Sequence, residues 1–176
     1  MFDKDYVFLG RHATRVKALT QSYGNNIKLF NRNVDLYILA PLVGFLYGRT
    51  AEKDNTTKDD TKVFSEQVTK CSQELKFSYQ MIMLLDKNYT PDIEERLNKA
   101  FRYYGVKKNN TENLSPDSDE EYFNSYVRGG VDVLYEKLIE NVTDEQGYID
   151  RLYDFIEDFD AKFNSKVEMK NILAKL

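Results

Sequence analysis

The sequence predicts an all-α single domain of five to seven helices, with a buried, Pro-containing central helix. Three observations carry that prediction. Apolar residues recur at steps of three and four along most of the chain. The densest apolar run, Leu36 to Tyr47, is shorter than the roughly 20 residues a membrane span needs, and Arg32, Asp35 and Arg49 flank it. No alternating pattern of useful length competes with the helical spacing. The 176 residues are expected to form one domain, 1–176, with polar loops near 50–61 and 106–117.

Residues 6–9, YVFL, read as a short strand or an extended arm. Residues 11–21 read as a helix with Ala13, Val16 and Leu19 or Ala18 on its apolar side, and Tyr23-Gly24-Asn25-Asn26 as a turn. The central helix follows. Asn33 is the expected cap, Pro41 is expected to kink or split it, Gly44 and Gly48 offer close approach, and Gly48 is a left-handed stop. Its expected core is Ile38, Leu39, Leu42 and Leu46, packed with Val68, Leu75 and Ile82.

After the polar stretch 50–61, one long helix is predicted over 62–86, with Phe64, Val68, Cys71, Leu75, Ile82 and Leu85 inward. Thr90-Pro91-Asp92-Ile93-Glu94 is a helix start, with Thr90 as cap and Ile93, Leu97, Ala100 and Phe101 as buried face, ending at Gly105. Ser118 opens the next helix, whose Gly129-Gly130 pair marks a break or a close helix crossing. Thr143 to Gln146 is a capping box opening a helix over 144–164, with Ile149, Leu152, Ile156, Phe159 and Phe163 on one face. The tail from Lys166 reads as a short final helix.

Composition narrows the function classes. Net charge is −4, which argues against a general polyanion binder. The sign is unevenly spread. Residues 1–50 carry seven basic and three acidic side chains, a balance of +4, and the remaining 126 carry 18 and 26, a balance of −8. One cysteine, Cys71, excludes an internal disulfide and is expected to be a buried structural thiol. One histidine, His12, excludes a multi-imidazole zinc site within the chain and is expected at the surface or its boundary. Phosphate-loop and dinucleotide signatures are absent. Arg128 beside the glycine pair is an anion cradle or part of a helix contact, and the helical setting favours the contact. Paired carboxylates such as Asp154, Glu157 and Asp160 lack the Glu-x-x-His partners of carboxylate metal sites in bundles. No catalytic residue, cofactor or metal ligand is assigned. The N-terminus has no signal-peptide character, and a cytoplasmic, bacterial setting is expected.

The basic start leaves Arg11, Arg15, Lys17, Lys28 and Arg32 as candidate contacts to nucleic acid or to a partner. The leading reading is a non-enzymatic accessory or assembly subunit acting through protein–protein contacts or self-association. Its setting would be a larger bacterial complex, such as a nucleic-acid-acting or defence system. The alternative is direct DNA or RNA binding through residues 1–50. A metal-dependent enzyme comes third, and no membrane contact is expected.

Overall fold

The computed structural model describes residues 1–23, 27–102 and 116–163. Seven α-helices and four short strands lie among them. The expected turn at 24–26, the stop at Gly105, the loop over 106–115 and the tail helix fall outside the described residues.

The chain opens with β1 (Tyr6–Leu9), which pairs antiparallel with β4 (Asp60–Val63). Residues 22–23 (β2) and 27–28 (β3) pair in the same sense. The domain is therefore mostly helical, with two small sheets added. β1 falls on residues 6–9, the stretch read as a short strand or an extended arm. The other strands, of two and four residues, are too short for alternation to register against helical spacing, and β4 straddles the predicted loop and the predicted long helix.

Helix α1 (Arg11–Thr20) buries Ala13, Val16 and Leu19, as its stripe predicts. Its N-terminal end is completed from a distance. The Asp54 carboxylate accepts the Arg11 backbone N–H at 2.7 Å, and the Gly10 N–H reaches the Asp59 carbonyl at 2.9 Å. Gly10 has φ +56°, and a Cβ there would lie 2.5 Å from the Asp54 carbonyl oxygen, so only glycine fits. The polar stretch after Arg49 is thus held against α1. It is also held to α6 (Pro116–Leu138), because the Ala51 N–H bonds the Ser125 carbonyl at 3.0 Å.

Helix α2 (Asn33–Leu46) runs through Pro41 as a single helix. Asn33 is its first residue rather than its cap, and Asp35 accepts the Arg32 backbone N–H at 2.9 Å. Gly48, with φ +63°, follows the last turn as expected. The buried side differs from the predicted one. Val34, Leu36, Tyr37, Ala40, Pro41, Val43 and Gly44 face inward, whereas Ile38 and Leu42 are half-buried and Leu39 and Leu46 exposed. The reason is the α6 contact. A Cβ on Gly130 would lie 1.8 Å from the Ala40 carbonyl oxygen, one on Gly44 2.3 Å from that of Tyr126, and one on Gly129 2.0 Å from that of Arg49. The backbones touch along the small-residue side of α2, so the bulkier leucines turn outward. Of the two meanings of Gly129-Gly130, the crossing holds, and α6 stays continuous.

The expected helix over 62–86 is three elements. After β4 come α3 (Ser65–Lys70) and α4 (Ser72–Leu85), broken at Cys71, which is half-buried. Val68, Leu75 and Ile82 are buried as predicted, together with Tyr79 and Met83, while Phe64 and Leu85 are exposed. Helix α5 (Ile93–Leu97) continues into a π-helical turn, Asn98–Arg102. Its cap is Asp92, which accepts the Glu94 N–H at 2.8 Å. Of the predicted face only Ala100 is buried; Ile93, Leu97 and Phe101 are exposed, and Arg96 and Lys99 take their place inside. Arg96 donates to the carbonyls of Leu84, Thr90 and Pro91 at 3.0, 2.8 and 2.8 Å. Lys99 lies 2.7 Å from Asp119 and 4.6 Å above the Tyr89 ring. The inner side of α5 meets oxygens and a ring, and the cations follow.

Helix α7 (Glu145–Phe163) starts at Asp144, which accepts the Gly147 N–H at 2.8 Å. Tyr148 packs on Tyr23 with the rings tilted by 34°, Phe155 stacks on Tyr47, and Lys162 covers the Tyr47 ring. The predicted inward residues Ile149, Leu152 and Ile156 lie on the outside.

Two substitutions test this packing by denaturant unfolding. Alanine in place of glycine within a helix ordinarily stabilises by about 1 kcal/mol. Gly130→Ala is expected to destabilise by about 3 kcal/mol or more, because the obstacle is backbone. A neutral or stabilised variant would mean that α2 and α6 do not cross there. Ile82→Ala is expected to cost about 2–5 kcal/mol, and Ile93→Ala less than about 0.5 kcal/mol. Equal costs would contradict the outward placement of Ile93.

Candidate functional site

Of the five basic residues singled out in the sequence, the fold brings two together. Arg11 and Arg15 lie four apart on α1 and converge on Asp132 of α6. The Arg15 guanidinium is 2.5 Å from Oδ1, and that of Arg11 is 3.3 Å from Oδ2. Arg15 also sits 5.0 Å above the Tyr135 ring. His12 is fully buried, contrary to expectation, with Nε2 3.3 Å from Asp132 Oδ1 but off the line of a hydrogen bond. Burial would push the Asp132 carboxyl up, but His12 and Arg15 outweigh it and hold it below the usual range. A lone carboxylate in the apolar run Val131 to Leu134 was the available signal for this cluster, since such a group needs a partner when buried.

Lys17, two residues beyond Arg15, points roughly 200° away around the helix. Lys28 is exposed on β3, and Arg32 pairs with Asp35 at 2.7 Å. The five do not form one cationic surface. The two that meet are turned toward an internal carboxylate, which takes up charge that a phosphate would otherwise meet.

Arg128 is likewise committed. It is buried, donates to the Ala51 carbonyl at 2.8 Å and pairs with Glu121 at 2.6 Å. Lys53 reaches the same Glu121 at 3.0 Å. Both cations border an open cleft of about 450 Å3, whose other walls include Tyr89, Tyr122 and Ser125. A smaller cavity of about 40 Å3 touches His12 and Asn124, a volume of one or two water molecules.

Below the cleft, buried Asp86 receives the Tyr122 and Tyr126 hydroxyls at 2.5 Å each and the Asn88 N–H at 2.9 Å. Burial raises the Asp86 carboxyl, yet these donors leave it below the ordinary range. Burial and the carboxylate push Tyr126 up to about 12 and Tyr122 further. These groups tie the end of α4 to α6 and remain fixed in protonation at neutral pH. Among the described residues, no group of three or more His, Cys, Asp and Glu side chains is placed to hold a metal ion. No helix among them is long and apolar enough to cross a membrane.

The other distinctive surface is apolar. Ile149, Leu152, Tyr153 and Ile156 of α7 are exposed, and so are Leu85, Ile93, Leu97 and Phe101 around the α4–α5 corner. The sequence signals surplus apolar residues on the last long helix, because Tyr153 adjoins Leu152 there, but does not say which arc faces out.

Asp132→Asn is expected to destabilise the protein by about 2–3 kcal/mol at neutral pH, the scale of charged hydrogen bonds left unmade. The native carboxyl titrates below its unfolded value of about 4, so its contribution is complete above that pH and fades as pH falls through the lower native value. The gap between wild type and variant, followed by urea unfolding, should therefore be flat from pH 5 to 7 and close below about pH 4. A gap that widens in acid would show that Asp132 is not held ionised by its neighbours. No protein-family model, curated protein or solved structure matches the chain.

Proposed function

We propose that this protein is a non-enzymatic helical subunit that works by binding other proteins, as an accessory or assembly component of a larger complex. The observation that carries the reading is the outer side of α7. Ile149, Tyr153 and Ile156 fall on one side of the helix at steps of four and three and are 46%, 60% and 58% exposed. Single exposed apolar residues need no explanation, but a row of them on a helix already packed by its opposite side marks an interaction surface. The α4–α5 corner, with Ile93, Leu97 and Phe101 outward, is a second such surface. The interior supports the same reading. Its buried charges, Asp132, Arg96, Lys99 and Arg128, are each engaged by groups of the fold, which makes them scaffold. Direct nucleic-acid binding through Arg11, Arg15, Lys17, Lys28 and Arg32 is the weaker reading, since Asp132 occupies the first two.

Photocrosslinking in the native cell tests the proposal. A benzophenone-bearing residue at Tyr153 or Leu97 is expected to give discrete larger adducts, whereas the same residue at exposed Gln73 gives none. Absence of adducts at both apolar positions would rule the binding role out.

A further inference from the structure

Resting on that reading, we infer that the outer face of α7 seats a basic amphipathic helix of a partner protein. The apolar stripe has two unlike borders. At 100° per residue, Leu152, Ile156, Ile149 and Tyr153 span an arc of about 100°. On one side the arc adjoins Tyr148, Phe155 and Lys162, where α7 already packs on Tyr23 and Tyr47. On the other side it adjoins Asp150, Asp154 and Glu157, all exposed. The helix as a whole carries six acidic and two basic side chains. One of the two, Lys162, lies over a ring, and Asp158 pairs with Lys137 of α6 at 3.3 Å. The stripe therefore presents an apolar seat with one open border, and that border is negative.

Charge decides between occupants. A second copy in antiparallel α7–α7 pairing would place the acidic border against itself, a repulsive arrangement. In parallel pairing each acidic border would meet the side where the other helix is already packed on its own body. An anionic lipid surface would be repelled by Asp150, Asp154 and Glu157. A partner helix with apolar residues at i, i+3 or i+4 and i+7, and Lys or Arg on one flank, satisfies both the stripe and the border. From Ile149 to Ile156 the stripe extends about 10 Å, so three turns of partner helix cover it.

The test uses the full chain and three synthetic 18-residue peptides that share a leucine face. One carries lysine flanks, one carries glutamate flanks, and one is a scramble of the lysine peptide. Fluorescence anisotropy is expected to show the lysine peptide binding at least about tenfold tighter than either other, a difference that shrinks as salt is raised. Ile149→Ser with Ile156→Ser should weaken that binding about tenfold or more, while Gln73→Ser at an exposed site on α4 should leave it unchanged. Asp150→Asn, Asp154→Asn and Glu157→Gln together should remove the preference for lysine over glutamate. All are exposed positions, and thermal melts of each variant confirm that it is folded. Equal binding of the scramble, insensitivity to the isoleucine pair, or a dimer abolished by the isoleucine pair would each overturn the inference. Crosslinked adducts at Tyr153 without a preference for the lysine peptide would leave the protein-binding role standing and remove only the basic helix. Absence of adducts removes both.

Discussion

Backbone contact between α2 and α6 is the constraint on which the rest depends. Three glycines, Gly44, Gly129 and Gly130, admit carbonyl oxygens to positions where any Cβ would collide. Once the helices are that close, the arc of α2 that faces inward is fixed. It must be the arc of Ala40, Pro41 and Gly44, whatever the larger side chains on the other arcs would gain by burial. Pro41 lies on that arc and withholds an N–H from the Tyr37 carbonyl one turn earlier, yet the helix continues through it. The crossing also places Arg49 and Thr50 against Gly129 and so sets the course of the polar stretch that returns to α1.

That return explains how charge is arranged inside a protein of modest hydrophobicity. Asp54 completes the start of α1, and Asp132 receives Arg11 and Arg15 from the same helix. Near the end of α4, Asp86 is served by two tyrosines, while Arg96 gathers three carbonyls. Each buried ion faces several opposite dipoles or charges, which is the condition under which a charge survives away from water. The tyrosines supply hydroxyls where a leucine core would leave Asp86 unserved. The chain's 13 tyrosines thus include some with a definite use, linking rings of the core to acids at its edge.

Legibility in the sequence follows the range of the interaction. The stripe of α1, the stop at Gly48, the inward set Val68, Leu75 and Ile82, and the significance of Gly129-Gly130 rest on spacing within a few residues, and all are readable. β1 is readable as well, as the short strand offered over residues 6–9, but β4 is not, because it is defined by pairing with residues 51–57 positions away. Stripes on α5 and α7 are readable as stripes, but periodicity identifies a face without naming what it meets. On α7 apolar residues occupy too wide an arc for pattern to choose between Tyr148 with Phe155 and Ile149 with Ile156. On α5 Ala100 is inward as read, but carbonyls around Arg96 and Asp119 beside Lys99 draw these cations inside in place of Ile93, Leu97 and Phe101. The basic candidates show the same limit. Proximity of Arg11 to Arg15 is local and legible, whereas their common partner lies more than a hundred residues away.

The distance between Arg11 and Asp132, 121 residues, has a consequence for synthesis. At about 5–20 residues per second, roughly 6–24 s separate the emergence of the two side chains from the ribosome. During that interval the first helix has neither its carboxylate nor the α6 surface that covers its apolar side. The first fifty residues meanwhile stand exposed with a balance of +4 and the densest apolar run of the sequence. The first helix, although made early, thus completes its ionic contacts only when α6 arrives, and the acidic part of the chain comes as the counterion of the basic start.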